Sequence, residues 1–207
     1  MNKIILIGCL FLCWNTVAAL ADDGTPTELG PQTEWAPGRE SYANALLGAA
    51  IGTSSGGTNS LIYSGRVGTS LAGSQNGLIS LGLVAGHDSS STTVGTVTSD
   101  GSITLLMAEL ITRRMFGTGL YLGARIGIAL LGDTLSTTQV SYSASTSSFA
   151  IGPTLGYEFP ILKNLAFDFD FSWIGVSAST LTFPTVGSVA VNGSSAALLQ
   201  GGVIFRW

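Results

Sequence analysis

Runs of alternating polarity, with every ionised side chain held to one parity, constrain this chain more than any other feature. Side chains on an extended strand point to opposite faces with a period of two. Eight runs of about a dozen residues show it: Tyr42–Thr53, Ser60–Leu71, Gly77–Asp88, Ser102–Arg113, Thr118–Leu130, Ser147–Glu158, Asn164–Val176 and Ala196–Trp207. One parity is apolar and includes Leu81 and Leu83, Leu106 and Leu110, Ile126 and Ile128, and the row Phe167, Phe169, Phe171 and Trp173. The other carries Arg66, Glu109, Arg113, Arg125, Glu158, Asp168, Asp170 and Arg206, interleaved with glycine and serine. A lipid-facing Arg or Lys costs about 2–4 kcal/mol at the bilayer midplane, so a membrane demands this segregation. A soluble β-protein alternates too, but its outward face carries scattered charge. Here four bases and four acids share the polar face, as in a crowded lumen where charges neutralise one another.

No mature segment is long and apolar enough for a spanning helix; the best, Gly117 to Leu131, has Arg125 in its middle. Backbone groups in hydrocarbon need internal partners, so strands can span only as a closed barrel. Eight strands enclose a space that side chains fill. The expected fold is therefore all-β: an eight-stranded antiparallel up-and-down transmembrane β-barrel over residues 42–207. Connection lengths agree. Ala72–Asn76, Arg114–Gly117 and Phe159–Lys163 are tight, whereas Ser89–Gly101, Leu131–Thr146 and Ser177–Ser195 are longer and rich in Ser, Thr and Gly; Ser54–Asn59 is shorter. Short periplasmic turns alternating with longer external loops are typical of outer-membrane barrels, and an even strand count leaves both termini on the periplasmic side.

Residues 1–21 read as a cleaved secretory signal, with Lys3, an apolar stretch from Ile4 to Trp14, and Ala19-Leu20-Ala21 before the cut. Residues 22–41, with Pro26, Pro31 and Pro37, read as an extended periplasmic leader. Both cysteines, Cys9 and Cys13, fall in the signal, so the mature chain has no disulfide. With Lys3 removed, seven basic and twelve acidic residues remain, a balance that argues against nucleic acid as a partner. One histidine and no mature cysteine make no ordinary transition-metal site, and no glycine loop has the strand-to-helix context of a dinucleotide motif. No cofactor is expected.

The last strand places Leu199, Gly201, Val203, Phe205 and Trp207 on one face and ends the sequence on an aromatic residue. This resembles the C-terminal assembly signal of bacterial outer-membrane barrels, and Tyr42 to Trp207 resembles the OmpA/OmpX-like superfamily. The resemblance implies residence in the bacterial outer membrane, among its lipid and lipopolysaccharide, as a monomer. It also implies insertion by the barrel-assembly machinery, with Val203, Phe205 and Trp207 as the recognised positions.

Three roles are open to such a barrel. The lumen charges could form a selectivity ring in a narrow small-solute pore; the reading adopted is mutually paired packing in a closed plug. Neighbouring strands suggest Asp168 and Asp170 as partners of Arg206, and Glu109 as partner of Arg125. His87-Asp88-Ser89 resembles the membrane-facing His-x-Ser of the lipid A 3-O-deacylase barrels, in which a serine nucleophile and histidine base attack an acyl ester. That match covers two residues, and the family's following Asn-Ala-Gly is Ser90-Ser91-Thr92 here. The other reading of His87 is an interfacial histidine. Lastly, the outer segments Thr92–Ser99, Thr134–Ser145 and Leu181–Ala190 are either solvated loops or strand extensions offering an edge to a surface protein partner. The expected function is non-enzymatic, structural or adhesion-like.

Overall fold

A computed structural model describes residues 40–52, 60–74, 77–115, 118–184 and 187–207. The signal, the leader to Arg39 including Trp35, and the first outer link at Ser54–Asn59 lie outside the described residues. Ten strands follow: β1 (Ser41–Gly52), β2 (Ser60–Ser74), β3 (Gly77–Val94), β4 (Val97–Arg113), β5 (Leu120–Ser136), β6 (Ser141–Leu162), β7 (Leu165–Val176), β8 (Ser179–Phe183), β9 (Gly187–Val191) and β10 (Ser194–Arg206). Eight close into a barrel in the order β1-β10-β7-β6-β5-β4-β3-β2, while among the described residues β8 and β9 pair with each other as a separate two-stranded sheet. First and last strands are joined from Tyr42↔Arg206 to Gly52↔Ala196, and Ser41 and Trp207 exchange backbone hydrogen bonds of 3.0 and 3.1 Å. Every described neighbour in the ring is antiparallel.

The parities sort as the alternation demands. The phenylalanine row of β7 faces outward, with Phe169 54 % exposed, while Asp168 and Asp170 between its members are buried. Leu83, Leu110, Ile126 and Phe149 likewise face out, and all eight charged residues of the opposite parity face in. Aromatic residues gather at the periplasmic rim, where Tyr157 packs on Phe159 at 4.4 Å and Phe205 stacks on Trp207 at 6.0 Å. Such girdles suit the interface between hydrocarbon and headgroups.

At two outer links the structure decides between the loops and the strand extensions that the sequence leaves open: Ser89–Gly101 and Leu131–Thr146 are mostly strand, with β3 and β4 paired up to Val94↔Val97 and β5 and β6 up to Ser136↔Ser141. Their Thr, Ser and Val residues favour pleated structure, and hydrogen bonds such as Thr93–Thr98 at 3.1 Å tie the outer rungs. Gly95, at φ 64, supplies the left-handed residue that the two-residue turn there requires. The link Ser177–Ser195 contains the β8–β9 hairpin. The leader also ends earlier than expected: Glu40 is built into the barrel, its carbonyl accepting the Ser70 N–H at 2.7 Å.

Candidate functional site

The lumen is layered from the periplasmic end outward. At the bottom, Glu158 accepts two bonds from Arg113, both at 3.0 Å, and one from Arg206 Nη2 at 2.5 Å. Glu40 caps this layer from the chain's entry, 3.1 Å from Arg113 and 3.6 Å from Arg206, and pairs also with Arg114. Burial in this layer pulls Arg114 down to about 10, opposed by Glu40. Arg114 adopts φ 55, a left-handed conformation unusual for a side chain of its size.

Two tyrosines form the next storey. Tyr42 lies against Gly68 and Gly82, and Tyr121 against Gly156, in places where a Cβ would collide with the ring. Their faces receive guanidiniums: Arg113 lies 4.3 Å from the Tyr42 ring and Arg66 lies 4.9 Å from that of Tyr121. Around them sits the central network. Arg66 bonds Asp168 and Glu109, and Arg125 bonds Glu109 at 2.7 Å and Asp170 through two nitrogens at 3.0 and 2.7 Å. Tyr121 donates to Asp168 or Asp170, 2.9 Å from each; Asn44 donates to Asp168, and Ser172 and Thr154 to Asp170.

Arg125 and Glu109 meet as the sequence suggested. Arg206 does not meet Asp168 or Asp170. The register sets Gly202 opposite Asp168 and Gln200 opposite Asp170, leaving Arg206 nearer the periplasm at the level of Asn164. It therefore takes Glu158, while Asp168 reaches across the lumen to Arg66 on β2. Tyr42, Asn44, Tyr121, Thr154, Ser172 and Glu40 complete the network. The first five are uncharged and marked in the sequence only by their inward parity, and Glu40 stands before the first strand run, in the stretch read as the leader.

Above the ions lies an apolar layer, with Ile62, Val84, Leu105, Met107, Ile174 and Leu198 packed across the barrel. Above that is the mouth, roofed by the β8–β9 hairpin, whose Leu181 and Phe183 pack on Ala144 of β6. Between apolar layer and roof is a cavity of about 370 Å³.

His87 and Ser89 lie on the outward face of β3. His87 Nδ1 is 2.8 Å from Thr104 Oγ1, and its ring packs on Tyr63 at 5.4 Å. Asp88, between them, faces the lumen and accepts from Ser60 at 2.5 Å, so it cannot orient the imidazole. Val203 faces outward, Phe205 stacks on the exposed Trp207, and these three positions lie along the seam with β1.

The course of the chain through this barrel is similar to that of solved structures. A major outer membrane protein from Thermus thermophilus is 12 % identical, with 82 % of this chain and 100 % of that chain aligned and a TM-score of 0.62. This chain has the fold of the small bacterial outer-membrane β-barrels. Ail, the attachment invasion locus protein of Yersinia pestis, is similar to the barrel over 83 % of this chain and 100 % of that one, at 12 % identity and a TM-score of 0.53. No protein-family model matches the barrel's sequence, and no curated protein matches it.

Proposed function

We propose that the barrel is a non-enzymatic surface-interaction protein of the outer membrane, closed to solutes and acting through the sheet it raises above the rim. One observation carries this reading: β3 to β6 continue as a paired sheet well beyond the last rungs they share with β2 and β7. Among the described residues, β3 pairs with β2 only as far as Asp88↔Ile62, so Ser89–Val94 presents an edge. Unpaired strand edges recruit extended segments of other proteins by backbone hydrogen bonding, with side-chain pockets adding selectivity. The Yersinia pestis protein is named for attachment; the shared fold makes attachment the first role to test. Contact with lipid and lipopolysaccharide, monomeric state, and delivery through Val203, Phe205 and Trp207 belong to the same proposal.

Neither alternative gains a supporting contact. His87 engages a threonine rather than a carboxylate, and the apolar layer would have to wet before ions could cross. The test is adherence of cells producing the barrel after Ser90–Ser99 or Thr134–Ser145 is replaced by a short Gly-Ser turn. Adherence is expected to fall to background while heat-modifiable gel migration persists. Undiminished adherence in both variants would refute the proposal.

A further inference from the structure

The cavity beneath the β8–β9 roof has an electrostatic imbalance that the rest of the lumen lacks. Lower down, Arg66, Arg113, Arg114, Arg125 and Arg206 answer Glu40, Glu109, Glu158, Asp168 and Asp170, five against five. Nothing answers the acids of the outer half. Asp88, Asp100 and Asp133 are the ionisable acids there, and the sequence has no Lys or Arg anywhere between Arg66 and Arg113, between Arg125 and Lys163, or between Lys163 and Arg206. Asp88 and Asp133 both line the cavity, on walls formed by β3 and β5.

The hydrogen bonds of Asp88 are incomplete. Asp88 receives Ser60 Oγ on Oδ2 at 2.5 Å, while its Oδ1 is shut away from solvent without a partner. Asp133 receives Ser99 Oγ at 2.9 Å. Hydroxyls solvate these carboxylates in part and cannot neutralise them. A carboxylate oxygen withdrawn from water with no donor is costly, and a cation supplied from outside removes that cost. Asp88 and Asp133 both line the cavity, so a cation held there meets the charge of each carboxylate.

Size and lining then choose among cations. About 370 Å³ is far more than a bare ion fills, and among the described residues no three His, Cys, Asp or Glu side chains gather to hold a metal. Floor and roof are apolar, with Ile103 and Leu131 below and Leu181 and Val191 above. Asp88 pairs with Ile103, Ile103 with Leu131, and Asp133 lies two residues farther out on β5. The two residues thus stand two strand spacings apart across the wall and two residues apart along it, about 12 Å between their backbones. We infer that the mouth is a binding site for a small organic diamine, with one ammonium group at Asp88, the other at Asp133, and an apolar chain between them under the hairpin.

This site stands whether or not the sheet edge engages a partner. Isothermal titration of the detergent-folded full barrel with 1,6-diaminohexane tests it, alongside 1,6-hexanediol and magnesium chloride. Saturable one-to-one binding of the diamine is expected, with none of the neutral diol. Asp88→Asn and Asp133→Asn should each weaken binding at least tenfold, with both variants still heat-modifiable on gels. Absence of saturable diamine binding, binding untouched in both variants, equal uptake of the diol, or saturation by magnesium alone would overturn the inference.

Discussion

Glu158 illustrates how much one side chain holds when ions are packed in a space closed to water. It faces Arg113 and Arg206 together, and Glu40 is their other described carboxylate neighbour. Glu158→Gln keeps the shape and removes the charge, leaving two guanidiniums undercompensated. Breaking a buried pair by removing one member costs about 3–5 kcal/mol. A matching fall in unfolding free energy, read from urea titration in detergent, is expected; Arg206→Ala should lower the thermal unfolding midpoint by the same logic. A second prediction concerns room rather than charge. Gly156 leaves the volume that Tyr121 occupies, so Gly156→Leu should push that ring out of the network. The expected result is loss of the fast-migrating folded band on unboiled gels, with full-length protein still present. The inward parity of Arg66, Glu109 and Asp168 was legible in the sequence because charge on a lipid face is prohibitive. Their partners were less so. Register and the reach of arginine across a narrow lumen decide them, and neither is written in neighbouring-strand order.

At the scale of elements, the strands that cross the membrane could be read outright, whereas for the segments above it loop and strand extension stood as equal alternatives. Within the bilayer Phe167, Phe169 and Phe171 alternate with residues of opposite character, so face and length both show. Beyond the rim Ser89 to Val94 meets water on both sides, so similar polar residues stand on either parity and the period of two disappears, whereas Ser141 to Ser145 keeps it because Tyr142 and Ala144 face the hairpin. The β8–β9 hairpin escaped for a related reason: its ordering contacts, Leu181 and Phe183 on Ala144, are with a distant strand. Replacing Ser179–Val191 with a short Gly-Ser turn leaves all eight ring pairings intact. That variant should keep heat-modifiable migration and urea resistance while its mouth becomes open to probes. Failure to fold would show the roof to be part of the barrel's foundation.

For the molecule as a whole, polarity is inverted with respect to a soluble β-barrel, and the interior is filled twice over, by ions and by an apolar layer above them. A filled interior predicts flat current traces in planar bilayers across ordinary voltages; stable unit conductance steps would show that the layer of Ile62, Leu105 and Leu198 opens. The inversion itself is tested by placing a probe on the outward row. The sequence has no cysteine after Cys13, so a chain begun at Asp22 and carrying Phe169→Cys has a single thiol for a nitroxide label. In liposomes the label should collide freely with oxygen, which partitions into lipid, and hardly at all with a water-soluble nickel chelate. A label favoured by the nickel chelate, or sheltered from both, would place the phenylalanine row in water or in a core and contradict the fold described here.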